Sequence, residues 1–153
     1  VTWENRIVGS GMSRAGDLLA NEKNWRIHGK SQQDALSAVL GNVGWVAQII
    51  VNKRSDPSWG NKQGIETVVD GHLRVELALS QGEDTEVPVT YVDLSEQEEG
   101  LILASFDPIA AMAAADREQL GELLKGIESE DAAIKQMLES IAQENKIPFG
   151  IKE

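Results

Sequence analysis

The 153 residues are 41% apolar and 25% charged, a balance that suits one globular domain with a sizeable core. Cysteine is absent, which excludes disulfides, thiolate metal sites and cysteine nucleophiles. The net charge of −11 is unevenly spread. Residues 1–60 hold seven Lys/Arg against five Asp/Glu, 61–92 two against six, and 93–153 five against fourteen. A phosphate-bearing ligand is therefore tolerated by the first part and repelled by the last, and duplex DNA cannot be gripped by the whole surface. No apolar run approaches a membrane span and no signal peptide is visible, so a cytoplasmic protein without membrane contact is expected.

In chain order, Arg6-Ile7-Val8-Gly9 reads as a short strand that Gly9-Ser10-Gly11 should break. Asp17-Leu18-Leu19 suits a helical turn or a strand start. Asn21 to Lys30 has no clean period and reads as a structured loop, with Trp25 and Ile27 anchored in the core and Arg26 and His28 sent the other way. Ser31-Gln-Gln-Asp34 resembles a capping box, and Ala35, Leu36, Val39, Leu40 and Val43 follow at helical spacing, with Gly41 and Gly44 bracketing the end. Ile49-Ile50-Val51 is a buried-strand signal, Lys53 to Gly64 a polar hairpin or long turn, and Glu66-Thr67-Val68-Val69 a further strand. Lys53-Arg54 reads as a solvated turn pair or a contact to nucleic-acid backbone. Trp45 is assigned to the core, and Trp59 to surface contact or core cover.

The most compressed stretch is Val68-Val69-Asp70-Gly71-His72-Leu73-Arg74-Val75, where strand, tight turn and helix start occupy about ten residues. Glycine there permits a close backbone approach or a φ closed to other residues. The first helical turn points N–H groups outward, as at an anion site, and His72 and Arg74 stand beside them. Arg74 could fork onto a phosphate or pair locally with Asp70. His72 could donate to a phosphate, act as an acid or base near neutral pH, or cap a neighbouring carbonyl. Asp70 reads as an N-cap, with coordination of ligand-bound Mg²⁺ as its functional alternative. Arg26, His28 and Lys30 form the other local positive set. Two histidines without His-x-x-x-His spacing give no zinc site, and Glu96, Glu98 and Glu99 read as cap and helix surface.

Beyond the Gln81-Gly82 stop, Val87-Pro88-Val89-Thr90-Tyr91-Val92 is a strand whose proline belongs near its start or on an edge. Ser95-Glu-Gln-Glu98 is a capping box for a helix that Asp107-Pro108 should interrupt, with a small apolar run from Ile109 to Ala115. Asp116 can cap a helix bearing Leu120, Leu123, Leu124 and Ile127. Ala133, Ile134, Met137, Leu138 and Ile141 define a last amphipathic helix that could pack on the domain, pair with a second copy or lead into another domain.

The stretch from Asp17 to Ala115 resembles the ParB/sulfiredoxin fold, and more closely the ParB-like N-terminal domain of phage and bacterial DNA-modification methyltransferases. The resemblance is carried by Asn24-Trp25-Arg26, the helix–strand unit from Ser31 to Asn52, Asp70 to Ala78, Val87-Pro88-Val89, Asp93-Leu94-Ser95 and Asp107-Pro108-Ile109. It implies an α+β fold: a small mixed sheet with packed helices over residues 1–94, an all-helical extension over 95–145, and a tail or linker over 146–153. In ParB proteins a Gly-Glu-Arg-Arg segment belongs to a nucleoside triphosphate pocket. Gly71 and Arg74 match its first and last residues, while His72 and Leu73 replace the glutamate and an arginine. Sulfiredoxin places its catalytic cysteine where His72 stands, so that chemistry is absent. Arg26 matches an arginine near the same pocket.

The implied ligand is DNA or a nucleoside triphosphate with Mg²⁺, held by Gly71, His72, Arg74, Arg26, His28 and Lys30, with Asp70 as the metal-linked residue. The implied setting is the cytoplasm of a bacterium or a phage-infected host. Partners would be a methyltransferase domain, on this chain or another, and a second copy in a homodimer. No Asn-Pro-Pro-Tyr or Asp-Pro-Pro-Tyr segment occurs, so methyl-transfer chemistry is not in these residues. Two alternatives stay open. One is a Mg²⁺-dependent nuclease, NTPase or phosphotransferase using Asp70 and Glu76; the other is an interaction or dimerisation module built on the acidic helices.

Overall fold

A computed structural model of the chain describes residues 2–111 and 114–148, with side chains through Phe106 and again from Ala114. Four strands form one mixed sheet: β1 (Ile7–Arg14), β2 (Ile49–Asn52), β3 (Thr67–Asp70) and β4 (Glu86–Val92), in the order β1-β4-β2-β3. β1 runs antiparallel to β4, β4 parallel to β2, and β2 antiparallel to β3. Helices are α1 (Lys30–Val43), α2 (His72–Gln81), α3 (Glu96–Ala111), α4 (Arg117–Lys125) and α5 (Ala132–Glu144). Short 3₁₀ turns cover Ala15–Asp17 and Pro57–Lys62.

The chain packs as two compact units. The first joins residues up to Ile27 with Trp45–Ala111, and the second joins His28–Gly44 with the residues after Ala111. In the first, Ile49, Val51, Val68, Val87 and Val89 are fully buried, and Val75 and Ala78 of α2 close over them with Ala15 and Leu18. β-branched side chains on the sheet and small or branched ones on the covering helix suit this packing. β3's outer edge is occupied by the segment around Leu19, which bridges Thr67 and accepts the Val68 N–H at 2.9 Å. In the second unit Leu124, Ile134, Leu138 and Ala142 pack with Ala38, Val39 and Leu120. A groove of about 570 Å³ runs between α1 and α5.

Several local expectations are corrected by tertiary context. β1 does not end at Gly9 but continues through Gly9-Ser10-Gly11 to Arg14, because β4 supplies a ladder partner for each residue from Gly9 on. Pro88 sits inside β4, one residue before the pairing with β2 begins at Ile49 and Val89, so its missing N–H is not needed on that side. α1 starts at Lys30, with Gly29 at the cap and no side-chain capping bond; Asp34 instead pairs with Lys30 at 2.6 Å. Gly44, at φ +97°, ends it.

The Ser95–Glu98 box forms reciprocally: Ser95 N–H donates to Glu98 Oε1 at 2.9 Å, and Glu98 N–H to Ser95 Oγ at 3.3 Å. α3 then passes through Asp107-Pro108 to Ala111 rather than stopping. The run from Ile109 to Ala115 lies partly outside the described residues. Asp116 and Asp131 cap α4 and α5. Trp45 and Ile27 are exposed, against the core positions expected for both.

Candidate functional site at the β3–α2 turn

β3 ends at Asp70, and one residue turns the chain into α2. Gly71 takes φ +102° and ψ 23°, the left-handed region that favours glycine. A Cβ at this position would lie 2.7 Å from Ile49 Cδ1 and 3.0 Å from an Arg74 guanidinium nitrogen. Both the dihedral and the space therefore exclude other residues. Gly71 itself is the cap, no side chain caps the helix, and its carbonyl accepts the Val75 N–H at 3.0 Å. Asp70 is thus not the N-cap that its place before the helix predicts.

Arg74 folds back over the turn. Its Nη1 donates to the Ala47 carbonyl at 3.1 Å, and its Nη2 stands 3.7 Å from Asp70 Oδ2. Four residues apart, across the turn from the end of β3 into α2, the two side chains meet as an i, i+4 pair. The local-pairing reading of Arg74 is the geometry observed, with Ala47 as a second anchor that nothing near residue 74 in sequence announces. His72 accepts the Asn21 N–H on Nε2 at 3.1 Å. That bond requires Nε2 to be without a proton and assigns the ring proton to Nδ1.

The remaining positive set is divided between the units. Arg26 lies 4.7 Å over the ring of Trp25, whose indole N–H donates to Leu103 O at 2.9 Å. Trp25 is therefore pinned by a polar bond and stays half exposed, rather than entering the core. His28 and Lys30 belong to the second unit, where His28 Nδ1 is 3.2 Å from Gln32 Oε1 and Lys30 pairs with Asp34. Gly71, His72 and Arg74 are thus brought together with Asp70 and Asn21 in one unit.

Behind the turn lies a buried polar cluster with no counterpart among the sequence expectations. Arg54, which local sequence assigns to a solvated turn or a nucleic-acid contact, is 1% exposed, as is Glu99, which it assigns to cap and helix surface. Arg54 Nη2 reaches Glu99 Oε2 at 2.8 Å, Arg54 Nε reaches Oε1 at 3.2 Å, and Nη2 also reaches Glu22 at 2.9 Å. The guanidinium lies 3.9 Å over the buried ring of Trp59. Asn52 and Asn21 add donors to Glu99 at 3.0 and 3.1 Å, and the Asn21 amide also holds the Val68 carbonyl. Burial works against the charge on Arg54, but Glu99 and Glu22 outweigh it and hold the guanidinium above its ordinary pKa. Asn21 therefore joins this cluster to His72 at the turn. Arg54 is also left-handed, at φ +54°, a conformation that packing must enforce on a non-glycine residue.

Among the described residues no group of three or more His, Asp and Glu side chains is placed to hold a metal ion, and no helix is long and apolar enough to cross a membrane. The turn's donors suit phosphoryl oxygens: backbone N–H groups at a helix start and one guanidinium. Its single carboxylate, Asp70, is directed at Arg74.

The sequence matches no family model and no curated protein. Among solved structures, the C-terminally truncated chromosome-partitioning protein ParB from Caulobacter crescentus, complexed with CTP-γ-S, superposes with a TM-score of 0.58 at 16% identity, over 92% of this chain and 73% of that one. The fold is ParB-like. At that identity the likeness is one of architecture. A Pnob8-like ParB-N domain gives a TM-score of 0.49 at 14% identity, covering 94% of this chain and 52% of that one. The Caulobacter protein complexed to the centromeric parS site gives 0.46 at 14%, covering 90% and 59%. Within the ParB-like fold, the β3–α2 turn is the element that gathers the candidate ligand residues of the sheet unit.

Proposed function

We propose that this chain is a ParB-like nucleotide- or DNA-binding module whose phosphate contacts are made at the β3–α2 turn. The observation that carries the reading is Gly71: its left-handed turn opens a helix start with no side-chain cap directly beneath Arg74, in a fold shared with a protein solved with CTP-γ-S. Backbone N–H groups of the first turn and the Arg74 fork would hold phosphoryl oxygens, with His72 and Arg26 as further contacts. Binding then exchanges the Ala47 carbonyl and Asp70 for the ligand as partners of the guanidinium. A nucleoside triphosphate would bring Mg²⁺ with it, and Asp70 is the one carboxylate at the turn. The role as an accessory domain of a DNA-modification system, beside a methyltransferase domain, rests on the sequence resemblance alone. The hydrolytic alternative draws less support, because Asp70 points to Arg74 and Glu76 is exposed on α2.

Calorimetric titration with CTP, the other nucleoside triphosphates and duplex DNA, with and without Mg²⁺, tests the proposal. Loss of a charge-assisted contact in R74A should weaken binding about tenfold or more, while E76A on the exposed face should leave it unchanged. Absence of binding to every ligand, or equal binding by R74A, would refute it.

A further inference from the structure

We infer that β1 is a self-association edge through which two copies of this chain join their sheets. The sheet's two edges are treated differently. β3 is covered by the Leu19–Asn21 segment, which takes the Val68 N–H and carbonyl. β1 is last in the strand order, and among the described residues no strand pairs with its outer side.

The pairing register shows which backbone groups look outward. Ala15 N–H donates to Thr85 O at 2.7 Å, and that pair continues the β1–β4 register. Antiparallel ladders alternate, so Ser13 and Gly11 share their groups with β4, whereas Arg14, Met12 and Ser10 direct theirs to the open edge. An unpaired row of N–H and C=O groups is complementary to another extended backbone.

The composition of the edge selects a second copy as that backbone. Ile7 to Ser13 contains no charged residue and no proline, and so lacks the usual devices against edge pairing apart from the register shift between Ile7 and Gly9. Arg14 is already neutralised by Asp84 and Asp17 at 2.6 and 2.9 Å. In a chain of net charge −11, this is an uncharged stretch along which two copies can meet, and at its ends, where Arg14 comes opposite Arg6 of the other copy, each guanidinium is already held by a carboxylate, Asp84 and Glu98. Antiparallel pairing about a two-fold axis through Ser10 sets Val8 of each copy opposite Met12 of the other. Both side chains are more than half exposed in the single chain, at 55% and 57%, and the small Ser10 and Gly11 at the centre let the strands close. The product is one eight-stranded sheet, closed by an isologous contact that leaves no open β1 edge to propagate.

Light scattering coupled to size exclusion, across a concentration series of the 153-residue chain, reads the outcome as mass. The expected result is twice the 16.7 kDa chain mass, falling to the single mass in S10P. That substitution removes an outward N–H and leaves the β4 ladder intact. M12K, which places a charge on the edge while keeping the backbone donor, should shift the equilibrium the same way. Unchanged circular dichroism in either variant shows that the fold is retained. A single-chain mass at every wild-type concentration, or a dimer that persists in both folded variants, would overturn the inference. Neither outcome depends on ligand binding at the β3–α2 turn.

Discussion

Replacing Glu99 by glutamine keeps the volume of the side chain and removes its charge, and the geometry fixes what should follow. The two carboxylate oxygens accept four hydrogen bonds, from Arg54 Nε and Nη2, Asn52 Nδ2 and Asn21 Nδ2, between 2.8 and 3.2 Å. In E99Q one oxygen becomes an NH₂ that meets N–H donors, so up to two bonds turn repulsive. Arg54, 1% exposed, keeps only the outer carboxylate of Glu22. Breaking one side of a buried ion pair costs about 3–5 kcal/mol. Against a typical total of about 5–15 kcal/mol this is a large share. For a chain of this length it lowers the melting temperature by about 10 °C.

Urea unfolding followed by tryptophan emission is the suitable assay, because Trp59 is buried against Arg54 and reports the sheet unit directly. The paired replacement R54M/E99M, which removes both charges, should recover most of the loss. A cost below about 1 kcal/mol for E99Q, the range of exposed pairs, would refute the view that this pair is a buried structural link.

Three further outcomes are expected. Arg6, at 2.6 and 2.9 Å, and then the Ser95 amide hold the Glu98 carboxyl down at about 2, from an ordinary 4.5. A depressed carboxyl stabilises the fold above its unfolded value, so that contribution is present above pH 4.5 and lost as the pH falls towards 2. E98Q should show a shallower loss of stability across that window in acid titrations followed by circular dichroism. G71A combines a Cβ 2.7 Å from Ile49 Cδ1 with φ +102°, and should lose about 1–3 kcal/mol in urea melts. D131A removes the acceptor of the Ala133 and Ile134 N–H groups at 2.9 and 3.4 Å, and should cost about 1 kcal/mol, read as reduced protection of α5 amides in hydrogen exchange.

Elements carried by local chemistry were legible in the sequence. The Ser95–Glu98 box, the Asp116 cap, the Gly71 turn and the Val/Ile strands each follow from residues within one turn or strand of each other. Features decided by distant partners were not. β1 passes through two glycines because β4 lies beside it, and Arg54 is buried because Glu99, 45 residues later, receives it. A guanidinium two residues beyond a strand carries the same local signal whether it meets solvent or a carboxylate. At the candidate site, Gly71 and the choice between phosphate and Asp70 for Arg74 could be read from spacing. The Ala47 carbonyl that anchors Arg74 and the Asn21 amide on His72 could not, since a backbone group leaves no mark in composition.

The helical unit is assembled from the two ends of a long detour. α1 is completed at Val43, yet the apolar stripe it needs, Ile134 to Ala142, comes about ninety residues later. During synthesis α1 must wait with its greasy side bare until α5 has left the ribosome, an interval in which a holdase or a neighbouring nascent chain competes for it. A stop codon anywhere before α5 would therefore strand α1, whatever had folded in between.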